Sequence, residues 1–323
     1  MTYPILTRRN LFGGVAGGAA LAALGAPHLA KAQTAATGPR PLIYDRMLGD
    51  MMFTTLLDGY LGLGQDLLVN ADPAVVAAAL SAAYLDPAAA IPVPISTHLI
   101  RSGSDVTLID AGAGNAFGPT AGRHLATLAA AGVAPEAVTR IILTHMHPDH
   151  IGGLVTDAGA VFPNATLHMS QTDLAFWTDA AIAASVPDSA KPFFALANAV
   201  VAAYGERVMA FDGDADLGGG ISAIALPGHT PGHTGYRLSS GSDQLIIWGD
   251  SAAFAALQFS HPDIGISFDA DSAMAAETRK KLLAMVAADK IAVAGSHLPF
   301  PGVGHVDAKG DAFAWVPEEW KFL

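Results

Sequence analysis

The sequence contains no cysteine. The chain can therefore form no disulfide, offer no thiolate nucleophile and bind no metal ion through cysteine. Catalysis in such a chain must use oxygen and nitrogen groups. A site for zinc or its first-row neighbours is then expected to use imidazole and carboxylate ligands.

Basic residues are also scarce. The chain has 17 Lys and Arg against 29 Asp and Glu, which gives a formal net charge of −12. Such a surface repels phosphate backbones, and we find no basic stripe interleaved with aromatic residues, so we expect no nucleic-acid partner. Apolar residues make up 51% of the 323 positions, enough for a large core in one large domain or two small ones.

The apolar run near the N-terminus is short. Arg8-Arg9 precedes a Gly/Ala-rich run that ends at Ala26, and Ala30-Lys31-Ala32 offers a cleavage site. This pattern resembles a bacterial twin-arginine export signal. The alternative is a membrane anchor, but the run is shorter than the roughly 20 residues that a span needs. We therefore expect a signal peptide over 1–32, a linker over 33–43 and a folded domain over 44–323, with a periplasmic mature protein that has no membrane segment.

Four ligand-type side chains crowd into the stretch 144–153, which follows the apolar run Ile141-Ile142-Leu143. They are His145, His147, Asp149 and His150. If the apolar run is a buried strand, His145 and His147 point to the same side by the two-residue repeat and can bind one ion. The next two side chains then lie on a turn and face a second ion. The alternative, a polar loop with chance histidines, does not explain four ligand types at this spacing.

Strands and helices are mixed along the rest of the chain, so the class is α/β or α+β with two sheets. Apolar spacing predicts helices over 120–131, 171–185 and 271–289. The first of these is expected to bury Leu125 and Leu128. The face predicted to be apolar in the last helix consists of Met274, Thr278, Leu282 and Met285.

Two ions need more ligands than one loop supplies. Three further ligand types follow predicted strands: His229 in Pro-Gly-His-Thr-Pro-Gly-His, Asp250 in Gly-Asp, and His297. The glycine-rich loop 110–114 could cradle a phosphate, but Gly-x-Gly alone is a weak signal. We favour a tight turn beside the site, with Asp110 orienting a ligand histidine.

The order His-x-His-x-Asp-His, Pro-Gly-His-Thr, Gly-Asp and a final His resembles the metallo-β-lactamase superfamily, over about residues 58–297. The resemblance implies an αββα sandwich, in which two mixed β-sheets are flanked by helices and a binuclear site lies at one edge. Matched by motif, the ligands are His145, His147 and His229 for one ion, Asp149, His150 and His297 for the other, and Asp250 between them. His233 then lies behind the ligands. Two such ions activate a shared water as the hydroxide nucleophile, and Asp149 is expected to orient it and accept its proton.

A closer resemblance covers about residues 44–316 and is to the bacterial methyl parathion hydrolase family. It is found in Tyr44-Asp45-Arg46-Met47-Leu48-Gly49-Asp50, Phe117-Gly118-Pro119-Thr120, Phe162-Pro163-Asn164-Ala165, Phe193-Phe194 and His297-Leu298-Pro299-Phe300-Pro301-Gly302. That family implies hydrolysis of aryl phosphotriesters with two zinc-type ions (Mn, Co or Fe are alternatives), usually in a homodimer. The matching positions for an aromatic pocket are Phe117, Trp177, Phe193 and Phe194. The likeness fades over 61–94 and 251–257, which are expected to border the pocket.

Two other functions stay open. A lactonase or arylesterase can use the same ligands, although the related acyl-homoserine lactonases have a Tyr three residues after the bridging Asp, where this chain has Ala253. A non-catalytic zinc-binding protein is the second alternative. The complete ligand set argues against it.

Overall fold

The computed structural model describes residues 40–320. The predicted signal peptide and most of the predicted linker lie outside the described residues. The first strand begins at Ile43, one residue before the expected start of the domain. None of the helices in residues 40–320 combines the length and hydropathy that a bilayer span requires.

The described chain folds into seventeen strands and seven α-helices. In chain order the strands are β1 (Ile43–Leu48), β2 (Met51–Leu63), β3 (Leu68–Val69), β4 (Ile91–Ser102), β5 (Asp105–Ile109), β6 (Arg140–Ile142), β7 (Val155–Thr156), β8 (Gly159–Ala160), β9 (Thr166–Ser170), β10 (Val208–Phe211), β11 (Ile221–Ala225), β12 (Thr234–Ser240), β13 (Asp243–Ile247), β14 (Gly265–Ile266), β15 (Ala292–Ala294), β16 (Val303–Lys309) and β17 (Ala312–Pro317). The helices are α1 (Pro73–Ala82), α2 (His124–Ala130), α3 (Pro148–Ile151), α4 (Gln171–Thr178), α5 (Ala180–Ser185), α6 (Lys191–Tyr204) and α7 (Ser272–Asp289).

Two mixed sheets form the centre of the molecule. The first sheet has the order β1-β2-β4-β5-β6-β9-β10, antiparallel up to β5 and parallel from β5 onward. The second sheet has the order β11-β12-β13-β15-β16-β17, with one parallel pair, β13 with β15. Two short ribbons, β3 with β14 and β7 with β8, lie outside the sheets.

Three apolar layers hold the sheets and helices together. Between the sheets, Phe53, Ile100 and Ile142 of the first pack with Tyr236 and Ile247 of the second. The outer face of the first sheet buries its leucines against α2, α4 and α6, and the outer face of the second packs on α7. Because each sheet is apolar on both faces, each must be covered twice, which gives the layer order helix, sheet, sheet, helix. The predicted αββα architecture is confirmed.

Several local predictions are wrong in detail. The helix predicted over 171–185 is two helices, because the Asp179 carboxylate accepts the N–H groups of Ala181 and Ile182 and starts α5 anew. In α2, Leu128 is buried but Leu125 is 41% exposed. The buried face of α7 is rotated from the predicted one, since Met274 is exposed and the face consists of Ala275, Ala276, Arg279, Leu282, Leu283 and Val286.

Candidate metal centre and substrate cavity

The stretch 144–153 lies at the end of β6, in the middle of the parallel part of the first sheet. The sequence suggested that strand alternation orients His145 and His147. The strand ends at Ile142, however, before either histidine, so this prediction is wrong. Backbone bonds aim them instead: the Thr144 N–H donates to Asp110 at 2.8 Å and the Met146 N–H to Asp173 at 3.2 Å. Pro148 then begins the short helix α3, since a proline is favoured at the first helical position.

Three histidines form the first cation group. Nε2 of His145 lies 3.0 Å from Nδ1 of His147, which in turn lies 2.9 Å from Nε2 of His229. The first two come from the loop after β6, whereas His229 comes from the turn after β11 in the second sheet. Their nitrogens converge closely enough to bind one ion. This is the set expected for one ion from the motif.

Asp149, His150 and His297 form the second cation group. Oδ2 of Asp149 lies 3.3 Å from Nε2 of His297 and 3.7 Å from Nε2 of His150. His297 follows β15 in the second sheet, while the other two belong to α3. This group also has the composition expected for the second ion.

Asp250 lies between the two groups, in the turn after β13. One carboxylate oxygen is 3.3 Å from Nε2 of His229 and 3.0 Å from Nε2 of His297, and the other is 3.3 Å from Nε2 of His150. Nε2 of His145 is also 3.9 Å away. A carboxylate that reaches both groups is placed to bridge two cations.

In three of the histidines, the Nδ1 atom points away from the cluster and faces an oxygen that can only accept a hydrogen bond. The partners of Nδ1 are Asp110 at 2.8 Å for His150, Asp269 at 2.8 Å for His229, and the Pro94 carbonyl at 2.7 Å for His297. Each Nδ1 must therefore be protonated. Nε2, which faces the cluster, is then the nitrogen that can give up its proton and bind a cation, as it does in metal-bound histidines.

The buried acids and imidazoles attract positive charge strongly. Burial lowers the pKa of His297, but Asp250 and Asp149 outweigh it and raise that pKa to about 10. Burial raises the pKa of Asp149, but His150 and His297 lower it to about 2, so this carboxylate is ionised at neutral pH. The proton held at His297 Nε2 occupies a position where a cation would bind, so cation binding is expected to release protons.

The residues present fit two divalent cations. Nε2 of His150 and Oδ1 of Asp250 are buried and have no hydrogen-bond partner in residues 40–320. Buried polar atoms without partners are costly, and a cation between them removes that cost. The donors are imidazole nitrogens and carboxylate oxygens, the set that zinc accepts and that manganese, cobalt or iron can share.

Further side chains hold the ligands from behind. Asp110 has a φ of +61° and accepts from the Thr144 N–H and hydroxyl as well as from His150. His233 donates from Nδ1 to the Leu226 carbonyl, and its Nε2 accepts the N–H of Asp250 at 3.1 Å. Both residues lie where the sequence predicted supporting roles.

The glycine-rich loop 110–114 forms the predicted tight turn. It packs backbone to backbone on the end of α3, so closely that a Cβ on Gly152 would lie 2.1 Å from the Ala113 carbonyl oxygen. Only glycine fits at that approach. The loop therefore serves the cation site by contact.

A cavity of about 390 Å³ opens onto both cation groups. Phe117 and Phe193 lie on its wall, as predicted. Trp177 and Phe194 do not, because they are buried in the core behind it, 3% and 4% exposed. There the indole of Trp177 packs edge-on against the ring of His147, with centroids 5.3 Å apart. The predictions that Trp177 and Phe194 line the pocket are therefore wrong. Trp177 supports the ligand His147 from the core, and Phe194 packs on Trp177.

The segments where the family likeness fades do border the cavity. The wall includes Leu61, Leu63, Leu67 and Val93 from the first segment, and Ala253 and Phe254 from the second. Sequence reasoning missed other wall residues, namely Gln258, Ile266, Phe268, Asp269 and Arg279. They lie between recognisable motifs and have no spacing signal of their own.

Asp58 is a further residue whose role sequence reasoning missed. It sits at an irregularity between β2 and β4, and it is fully buried. Its carboxylate accepts the N–H groups of Ala113, Gly122 and His124 at 3.1, 3.0 and 2.6 Å. It thus fixes the loop beside Asp110. The one charged residue inside this strand was the available signal.

Comparison with known proteins identifies the family. Residues 90–297 match the family model of the metallo-beta-lactamase superfamily. This chain belongs to the metallo-β-lactamase superfamily. A search of curated proteins found no match.

Two solved structures are similar over most of the chain. The hydrolase AbOPH is 33% identical, with a TM-score of 0.81, and the match covers 87% of this chain and 98% of that one. The dizinc quorum-quenching lactonase AidC, in complex with a homoserine product, is 30% identical, with a TM-score of 0.82 and coverage of 87% and 99%. A probable metal-dependent hydrolase from Staphylococcus aureus, 21% identical with a TM-score of 0.70 and coverage of 85% and 99%, shares the fold. With its His/Asp clusters, this protein is a metal-dependent hydrolase of the superfamily.

Proposed function

We propose that this protein is a binuclear hydrolase of neutral aryl phosphotriesters, with zinc as its metal. The observation that supports this best is the contrast inside the cavity. Of the described residues that line it, only Arg279 is permanently cationic, and its guanidinium donates to the carbonyls of Ser251, Pro262 and Ile264. A wall of mostly apolar side chains with three carboxylates, those of Asp149, Asp250 and Asp269, favours an uncharged, apolar substrate.

The chain's own residues then divide the work. When bound, two divalent cations lower the pKa of a shared water and polarise the oxygen of the group under attack. Asp149, whose carboxylate faces the cavity, orients the attacking water and accepts its proton. Phe117 and Phe193 contact the aryl leaving group and exclude water around it. Asp250 keeps the two cation groups in one geometry.

A lactonase or arylesterase is the second candidate, because AidC is a lactonase and a lactone is also neutral. Ala253 lies on the cavity wall, at the position where the sequence resemblance leads us to expect a tyrosine in an acyl-homoserine lactonase, and this argues against that type. We keep the phosphotriester proposal first for this reason.

The test is a substrate panel on the zinc-loaded enzyme. We expect higher kcat/KM for paraoxon-type triesters than for 4-nitrophenyl esters or N-acyl lactones. Much higher kcat/KM for lactones would overturn the proposal and establish the second candidate. Two bound zinc ions without turnover of any compound would instead indicate a non-catalytic zinc-binding protein.

Three further assignments belong to the same proposal. We propose export through the twin-arginine signal, a periplasmic location and a homodimer, all from the resemblances in the sequence. Cell fractionation of the tagged full chain and sedimentation of the purified protein test them. A cytoplasmic, uncleaved or monomeric product would contradict the corresponding part.

A further inference from the structure

One turn belongs both to the substrate cavity and to a cation ligand. Asp269 accepts the Nδ1–H of His229 at 2.8 Å with one carboxylate oxygen and the N–H of Ile266 at 3.0 Å with the other. Its side chain is 1% exposed. The turn 266–269 is thus closed by the same carboxylate that orients His229.

Backbone bonds tie this turn to the ligand on both sides. The Ala270 N–H donates to the carbonyl of His229, and the Asp271 N–H donates to the carbonyl of Gly228, both at 2.9 Å. With the bond to Asp269, three hydrogen bonds join residues 269–271 to the segment 228–229. These three hydrogen bonds therefore hold the ligand His229 and the turn together.

The other side of the turn is cavity wall. Ile266 and Phe268 both line the cavity, and Phe268 is 43% exposed. Ile266 also pairs with Leu68 in the ribbon of β3 and β14, and the neighbouring Leu67 is a wall residue as well. A molecule bound against this wall therefore contacts Ile266 and Phe268, in the turn that the Asp269 carboxylate closes.

We propose that Asp269 is a positioning residue that couples occupancy of the cavity to retention of the cation held by His145, His147 and His229. The inference rests on the proposed metal site. Asp269 keeps Nδ1 of His229 protonated and its Nε2 free to bind, and the Ile266 N–H holds the carboxylate in place. A molecule that orders the turn strengthens this arrangement, and by linkage the bound cation strengthens binding of that molecule.

The first experiment measures zinc retention in the zinc-loaded full-length chain under excess chelator. Asp269→Asn keeps the shape of the side chain, but its amide cannot accept from both His229 and Ile266. We expect one zinc to leave about 10–100-fold faster. The matched control is Asp271→Asn, two residues away, where asparagine can still cap α7 and release should not change.

A comparison variant identifies which cation is lost. Asp110→Asn removes the partner of His150, so the zinc of the second cation group should leave faster. Asp269→Asn and Asp110→Asn should therefore weaken different cations, and the double variant should weaken both. Cobalt spectra of the singly depleted proteins distinguish a site with three imidazole nitrogens from one with two imidazole nitrogens and the carboxylate of Asp149. Loss of the same cation in both variants would overturn the assignment.

The second experiment tests the coupling itself, with 4-nitrotoluene as a neutral probe of the cavity. It should slow zinc release from the wild type several-fold and have no effect on Asp269→Asn. If the probe merely blocks the chelator, it slows release equally in both proteins, and the coupling is overturned. Should Asp269→Asn fail to fold, Phe268→Ala serves instead, because this half-exposed ring can be removed without opening the core, and it too should abolish the probe's effect.

The outcomes separate this inference from the proposed function. Normal zinc retention in Asp269→Asn, in an enzyme that hydrolyses triesters, overturns the inference alone. Faster zinc loss with the expected probe dependence, in a protein that turns over no substrate, overturns the function alone.

Discussion

The two sheets contribute to the cation site in different ways. The first sheet supplies four side chains from one loop of six residues, His145 to His150, at the end of β6. The second sheet supplies His229, Asp250 and His297, each from the end of a different strand. One half is local and is readable as a motif. The other half exists only when three strand ends meet, and it includes the residue that touches both groups.

Neutralising one carboxylate from each half should give the largest difference between the two halves of the site. Asp250→Asn should lose both cations and lower kcat by about a thousandfold, near 4 kcal/mol, because Asp250 contacts both groups. Asp149→Asn should lose chiefly one cation, because Asp149 contacts only His150 and His297 among the histidines of the groups. Metal analysis and kcat measurements check this. Exposed Asp289→Asn is the control, and equal cation loss in both site variants would contradict the bridging position.

The second test separates the core behind the local loop from the cavity in front of it. Phe194 packs on Trp177, which supports His147, and Phe194→Ala should destabilise the protein by about 3 kcal/mol. Phe117→Ala should hardly change stability but raise KM for aryl substrates about tenfold. Urea unfolding and steady-state kinetics measure the two effects. If Phe117→Ala instead destabilised the protein and Phe194→Ala changed only KM, the assignment of Phe117 to the cavity wall and of Phe194 to the core would be wrong.

The third test uses a buried histidine outside both cation groups. Burial lowers the pKa of His124 to about 4, partly opposed by Asp58. The unfolded state therefore binds the extra proton between pH 6.5 and 4, and the stabilisation present at neutral pH is lost as the pH falls through that window. From pH 7.5 to 5.5 this should cost about 1 kcal/mol.

The change His124→Asn should remove that part of the pH dependence and leave the part that comes from cation release. Asparagine can replace the ring's contact with Thr97, whose hydroxyl lies 3.0 Å from Nδ1. Urea unfolding at several pH values, with exposed His261→Asn as the control, measures the slope. An unchanged slope in His124→Asn would show that His124 does not titrate in this window.

The local features of this protein could be predicted from the order of its residues. The four ligand-type residues within 144–153 are close neighbours in the sequence and form a recognisable motif. The helix N-cap at Asp72 is equally local, because its carboxylate accepts the N–H groups of Ala74 and Val75. The seven ligand-type residues and the αββα fold followed from a family pattern in that order. Each of these depends on neighbours within a few residues or on motifs that keep their order along the chain.

Which side chains face the cavity, and which hold the ligands from behind, depends on the tertiary packing. Trp177 and Phe194 look like pocket aromatics in sequence, yet packing of α4 and α6 on the first sheet buries them. Asp58 and Asp269 act on partners up to 66 and 40 positions away, His124 and His229 respectively, so no spacing reveals them. Burial and hydrogen bonding between distant segments depend on how the layers stack, and Asp269 could be recognised only once that stacking brought it against His229.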